Sequence, residues 1–366
     1  MTLLNHSIHV HVCPWICRAR YSLLGVARNL YRNSSHFPVA RVATESEWKH
    51  GPEYIFQVQV NSTAIPAEGS SMSIRLNVAS KLVCQPKSYH VFTCHFRDSK
   101  ADSYTTESLD PWFQETPVSR VSRQEAYEIN QDQFEMKFGK QGLESLVVNE
   151  NIQPRELDMI RVIVGQLNIG MAFVSHHRSQ FHLMENFTQG ECATIFTVHR
   201  NIVGLPMHVK RNYVLMPVIP LRDGEVLQIR KMRNLHMCTH KVPYFFGSAE
   251  RMSEYSDVVS TISSSESLII VTSTEFITGT INVVTTNKIS ERIATTLYEN
   301  INLKLESILP AESEPLEVKD PEPASMFIGR WLRESSLEED QSTEEYPSME
   351  EDLSMEGLIS RRKKDV

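Results

Sequence analysis

The chain has 366 residues, of which 41% are hydrophobic and 22% charged, and a formal net charge of −8. A compact chain of this length buries about 70 to 75% of its unfolded surface, enough for one large domain or two smaller ones. The mild acidity leaves no electrostatic footprint for nucleic acid, and no apolar run approaches the roughly 20 residues of a membrane-spanning helix, so no transmembrane segment is expected.

Charge is spread unevenly along the chain. Residues 1–44 hold five arginines (Arg18, Arg20, Arg28, Arg32, Arg41) and no acid. Their opening, MTLLNHSIHVHVCPWICRARYSLLGVA, is broken by His, Asn, Pro and Arg where a secretory signal needs a continuous apolar stretch. An Arg-rich, acid-free leader is closer in composition to a transit peptide, and 1–44 is read as an unassigned, poorly ordered leader.

A domain is expected over 45–308. Tyr54–Asn61 alternates and is rich in β-branched and aromatic residues, which predicts a strand. Residues 71–84 and 89–96 flank the turn signal QPKS and predict a hairpin. Further strands are predicted at 134–138, 181–186, 193–200, 212–221 and 225–233, with a β-rich stretch over 267–286. One segment departs from this pattern. Pro154–Asn168 starts with Pro and places acids in the first turn, while Leu157, Ile160, Ile163, Val164 and Leu167 share a face. This predicts a single helix packed against the sheet. The fold class is therefore mainly β with one central helix, an antiparallel barrel or sheet wrap flanked by disordered termini.

From Leu309 onward the sequence turns Pro- and Glu-rich, and 309–366 is predicted to lack packed structure. Residues 334–358 carry ten acids and no base. Ser335, Ser336, Ser342 and Ser348 each stand three residues before a Glu, a context suited to phosphorylation. The chain ends near the basic quartet Arg361-Arg-Lys-Lys364, a candidate processing site.

The six cysteines lie at 13, 17, 84, 94, 192 and 238. Cys13 and Cys17 have three residues between them rather than the two of a redox dithiol. His236-Met-Cys238-Thr-His240 is a compact set of metal-ligand residue types. On an extended strand its three side chains share a face, so a metal site and a disulfide at Cys238 are both open readings. The set offers three ligands at most and has no adjacent acid to orient the histidines, and no metal or other cofactor is assigned. Nucleotide loops, a G-x-S-x-G elbow and an H-E-x-x-H helix are absent from the sequence, and catalysis has no positive signal. Asn33, Asn61 and Asn186 each begin a glycosylation sequon; the last two are placed at accessible strand ends. A turn over Pro86–Ser88 sets Cys84 opposite about residue 90, so this reading does not pair Cys84 with Cys94, and a free, buried thiol or a longer-range bridge is equally open.

The ordered series of motifs resembles a known family. Gly190-Glu-Cys192-Ala-Thr-Ile-Phe-Thr-Val198, Asn234-Leu-His-Met-Cys238 followed by Tyr244-Phe-Phe-Gly247, and EWKHGPEYIFQV before and after Trp48 are similar to segments of the vitellogenin amino-terminal module. Phe134–Phe138, Gly142–Val148 and the helix ending Gly165-Gln-Leu fit the same order, from about residue 46 to 305. The likeness is greatest to insect vitellogenins and vitellogenin-like proteins. It implies a β-barrel of the lipovitellin N-sheet type closed around a central helix, with Cys192 bridged to Cys238. Such a bridge contributes about 4 kcal/mol in the chain-entropy view and requires an oxidising compartment, hence secretion. The family function implied is extracellular lipid transport and yolk nutrient storage, non-enzymatic, with uptake through lipoprotein-type receptors resembling the LDL receptor. Acidic, calcium-stabilised receptor repeats ask for exposed cations, and Lys210, Arg211, Arg230, Lys231 and Arg233 are the candidates. Because the sequence stops before the family's lipid-cavity domains, lipid is expected only on a longer chain. The alternative is a stand-alone secreted interaction protein that has lost lipid carriage.

Overall fold

The structure is a computed structural model. It describes residues 41–42, 49–66, 72–88, 90–107, 121–122, 129–139, 142–170, 178–188, 190–202, 221, 224–239, 258–272, 275–288 and 293–327. Among these residues, fourteen strands form a single sheet around one helix. The strands are β1 (Arg41–Val42), β2 (Pro52–Pro66), β3 (Met72–Ser88), β4 (Val91–Glu107), β5 (Val121–Ser122), β6 (Phe134–Gly139) and β7 (Gly142–Asn149). After the helix come β8 (Arg178–Phe187), β9 (Gly190–Ile202), β10 (Glu225–Cys238), β11 (Val258–Val271), β12 (Phe276–Lys288), β13 (Ile293–Pro310) and β14 (Pro321–Ser325).

Alternation builds the sheet. Along β9, Cys192, Thr194, Phe196 and Val198 are buried while their neighbours are half-exposed, the period-2 pattern of a strand with one covered face. The hydrogen-bonded order runs β14-β7-β6-β4-β3-β2-β13-β12-β11-β10-β9-β8, with β1 beside β13 and β5 beside β4. All pairings are antiparallel except β1 with β13. The ends of this path are not hydrogen-bonded to each other as strands among the described residues. Among the described residues the expected closed barrel is therefore an open wrap.

The helix α1 (Pro154–Val164) continues into a 3-10 turn over Gly165–Leu167. Pro154 sits in its first turn, where the missing N–H costs nothing. The predicted apolar face is buried, and so are Asp158, Met159, Arg161 and Val162. Wrapping by the sheet, rather than packing on one side, explains this. A helix enclosed on most sides must neutralise whatever charge it carries inward. Arg161 does so within one turn, donating from a terminal N–H to Asp158 Oδ1 at 2.7 Å and from Nε to the Ser325 carbonyl at 2.9 Å.

That carbonyl belongs to a stretch expected to be disordered. Instead, β13 extends to Pro310, and residues 311–320 form a strap ending in β14, which pairs with β7 from Pro321↔Asn149 to Ser325↔Ser145. Ala311 N–H donates to the Gly51 carbonyl, Gln85 Nε2 to the Ser313 carbonyl, and Lys87 Nζ to Glu317 and Glu135 at 2.6 and 2.8 Å. Gln85 and Glu135 alternate with the core residues Cys84 and Phe134, so the strap crosses the outward side of β3 and β6. Ala311, Val318, Ala324 and Met326 are buried by it. Apolar residues spaced among Pro and Glu anchor the strap one at a time, which is why composition alone hides it. At the other end, Arg41–Val42 of the leader pair with Ser307–Ile308 of β13. Residues 328–366, with the four candidate phosphoserines, and all of the predicted strand 212–221 except Leu221 lie outside the described residues.

Both described cysteine pairs are bridged. Cys192–Cys238 joins the start of β9 to the end of β10, at a register shift that inserts 235–237 into β10. Cys238 Sγ is therefore a structural sulfur and not a metal thiolate; His240 is outside the described residues. Cys84–Cys94 is the second bridge, contrary to the sequence reading. Ser88 stands opposite Val91, so the chain reverses later than expected, and a register shift between Pro86 and Ser88 brings Cys94 opposite Cys84. Proline lacks the N–H for a regular ladder, and the irregularity beside Pro86 moves the partner by one position.

Candidate functional site

The interior divides into two halves. Along β10 the inward residues run Leu227, Ile229, Lys231, Arg233, apolar at one end and cationic at the other. Neighbouring strands change in step: Ile269 and Val271 give way to Ser267 and Ser265 on β11, and Phe276 gives way to Thr278, Thr280 and Asn282 on β12. The polar half surrounds the C-terminal end of α1. It is the densest collection of chemistry-bearing side chains in the described structure, and sequence reasoning missed it.

Glu185 of β8 is its centre. Lys231 Nζ donates to Glu185 Oε1 and, at 2.6 Å, to the Asn168 carbonyl, while Arg233 Nε lies 3.2 Å from Glu185 Oε2. The side chains of Glu185, Lys231 and Arg233 are only 2%, 1% and 5% exposed. Both cations also stack on rings, Lys231 on Phe196 at 5.2 Å and Arg233 on Phe187 at 4.2 Å. Burial pushes the Lys231 ammonium down to about 8, with Glu185 pulling against it and Arg233 adding to it. Burial by itself raises the Glu185 carboxyl, but Arg233 and Lys231 together hold it below the usual carboxylate range. Arg233 passes the network on by donating to Ser265 and Ser267. Ser267 and Thr280 share a 2.7 Å contact, and Thr280 donates to Gln166 Oε1 of the 3-10 turn.

Asn168 closes the wrap where the strands do not. Its Oδ1 accepts from Leu143 N–H of β7 at 3.3 Å and from Gly170 N–H at 3.0 Å, and its Nδ2 donates to the Asn186 carbonyl of β8 at 3.1 Å. One side chain thus links β8, at one end of the strand order, to the stretch of β7 that β14 does not reach. Gly142 has φ +109°, and a Cβ there would stand 2.0 Å from Asn168 Oδ1. Gly142→Ala is expected to cost about 2 to 3 kcal/mol from the strained backbone and the displaced amide. The readout is a lower urea midpoint at unchanged m-value; a wild-type midpoint would mean that this turn does not hold the seam.

The cations proposed from sequence for receptor contact are divided by the structure. Lys231 and Arg233 do share a face, but it is the inner one, and both are consumed by Glu185. Arg230 points outward, half exposed, and pairs with Glu266 at 2.8 Å. Lys210 and Arg211 lie outside the described residues. Asn61 is exposed, yet it sits mid-strand in β2, between Asn77 and Asn300, rather than at a strand end. Asn186 is the penultimate residue of β8 and half-exposed, and Thr188 of its sequon is buried. The one sequence signal for the buried cluster was the i, i+2 spacing of Lys231 and Arg233 beside an inward apolar row, together with Glu185 at the same parity as Phe181 and Leu183.

The fold and the sequence lead to the same relatives. The profile of the vitellogenin N-terminal domain matches residues 48–312, more than half of the chain. The chain belongs to the vitellogenin N-terminal domain family. A solved structure described as lipid–protein interactions in lipovitellin has the same fold, with a TM-score of 0.52 and 13% sequence identity. The superposition covers 78% of this chain and 28% of that one, so the vitellogenin-type module described here spans well under a third of its structural relative. The ordered module runs past the profile's end: β14 and Met326 belong to the same core.

Proposed function

We propose that this chain acts as the amino-terminal module of a secreted, vitellogenin-type carrier, serving extracellular lipid transport and yolk nutrition by presenting a rigid surface to an uptake receptor. The observation that carries this reading is the family membership of residues 48–312, realised as a sheet wrapped round one buried helix. Two bridges are compatible with an oxidising compartment and support secretion. The interior favours a recognition role over cargo storage in this module. It is filled by α1 and side chains, and its polar half carries a charge network that a lipid chain would have to displace. Its buried charges are tied up in that network, which supports a non-enzymatic role.

The proposed receptor face uses Arg230 with Lys210 and Arg211, without Lys231 or Arg233. Glycans at Asn61 and Asn186, and phosphate on Ser335, Ser336, Ser342 and Ser348, belong to the same proposal. The test is binding of the purified chain to immobilised acidic, calcium-loaded receptor repeats at two salt concentrations. Charge reversal of Arg230, Lys210 and Arg211 together is expected to weaken binding by tenfold or more and to flatten its salt dependence. Equal affinity of variant and wild type at low salt would eliminate this face. Chloroform extraction of the same sample separates the readings: stoichiometric phospholipid marks a carrier, and a lipid-free monomer with intact receptor binding marks a stand-alone interaction protein.

A further inference from the structure

Next to the charge network, between the end of α1 and β12, lies a cavity of about 20 Å³. Its polar lining comes from Gln166, Thr188, Arg233, Thr280 and Asn282, and Gly165 forms part of the wall. Asn282 is 3% exposed. Its Nδ2 donates to Glu299 Oε2 at 3.4 Å, which turns its Oδ1 the other way, and that atom has no hydrogen-bond partner among the described residues. A buried amide oxygen without a donor costs about 1 to 3 kcal/mol, so natural interiors seldom leave one unmet.

We propose that this cavity is a hydration site for one internal water molecule, which donates to Asn282 Oδ1 and joins Asn282 to the Gln166–Thr280–Ser267–Arg233 chain. Size decides against larger ligands: a single water needs about 10 to 15 Å³ of such space, and nothing the size of a lipid chain or headgroup fits. Charge decides against ions. The Arg233 guanidinium in the wall disfavours a cation, and the Glu299 carboxylate behind Asn282 disfavours an anion. A neutral donor with two acceptor lone pairs suits a wall that mixes amide, hydroxyl and guanidinium groups. The water then satisfies Asn282 Oδ1 within the polar half of the interior.

Gly165 provides the test. Its φ of −56° suits any residue, and a Cβ added there would meet only Thr188 Cγ2, at 3.9 Å. Gly165→Ala therefore introduces a methyl group at the cavity wall without a clash. A crystal structure of the wild-type chain at high resolution should show a water within hydrogen-bond distance of Asn282 Oδ1. The same structure of Gly165→Ala should lack it, and the thermal midpoint should stay at or below that of wild type. The smaller conformational freedom of alanine in the unfolded chain would by itself raise that midpoint by roughly 2 °C. A dry wild-type cavity, or an Asn282 rotated onto a protein donor, overturns the proposal. So does a Gly165→Ala variant that gains this full increment.

Discussion

A chain ending at Pro310 is expected to lose its cooperative unfolding transition, whereas a chain ending at Phe327 keeps the wild-type midpoint. The strap and β14 are the reason. Without them Arg161, 2% exposed, loses the Ser325 carbonyl that receives its Nε. Burial already presses the Arg161 guanidinium below its ordinary value, with Asp158 restoring part of it. The sites of Ala324 and Met326 open to water, and β7 becomes an uncovered edge. The shorter chain no longer bears the ordering entropy of the strap, which offsets part of the loss. It cannot offset a buried cation robbed of an acceptor beside an opened core, together worth about 3 to 5 kcal/mol or more. That is a large part of the 5 to 15 kcal/mol of a typical domain. The measurement is circular dichroism during thermal unfolding of both chains. A 1–310 chain melting like wild type would show that the strap only decorates the fold. The family profile ends at 312, so an expression boundary taken from it would cut inside the module.

Glu185→Gln should be the most damaging single exchange in the interior, and Lys231→Met a milder one. The network holds one carboxylate against two cations. Removing the carboxylate leaves Lys231 and Arg233 buried, adjacent and uncompensated, a loss of about 3 to 5 kcal/mol. Removing Lys231 leaves Glu185 and Arg233 as a balanced pair. The pH dependence separates the two further. Lys231 has a folded-state value of about 8, below the ordinary 10.5. Between those values the unfolded chain binds the proton and the folded chain does not, so this group makes stability rise with pH. The stability difference between wild type and Lys231→Met should therefore grow between pH 8 and 10. Glu185 acts at the acid end: its depressed value contributes stability that is present above about 4.5 and lost as pH falls through the lower folded-state value. Denaturant midpoints at pH 7, 8.5 and 10 read the alkaline limb. A pH-independent difference between the two proteins would remove Lys231 from the network.

Most of the described strands, the central helix and the Cys192–Cys238 bridge were legible in the sequence. Period-2 and period-3.6 patterns depend only on which residues face a core, and the family motifs carried the pairing of the two cysteines. β13 was not singled out, because in IATTLYENINLKLESILP the inward row includes Glu299 and the outward row Tyr298, which blurs the alternation. Three further features depended on pairings that no local pattern fixes. Ser325 lies 164 residues from Arg161, so nothing local marks a Pro- and Glu-rich stretch as a structural clasp. The partner of Cys84 turned on where the chain reverses, between Ser88 and Val91 rather than over Pro86–Ser88, and then on a one-residue register shift beside Pro86. Lys231 and Arg233 had the right spacing for an exposed basic row, and only the position of Glu185 on the strand across β9 decided that they face inward. Local pattern determines which elements form. Register, closure and the fate of each charge are decided by partners that the chain brings in from far away, because a buried ion is tolerable only where the fold delivers its counter-charge.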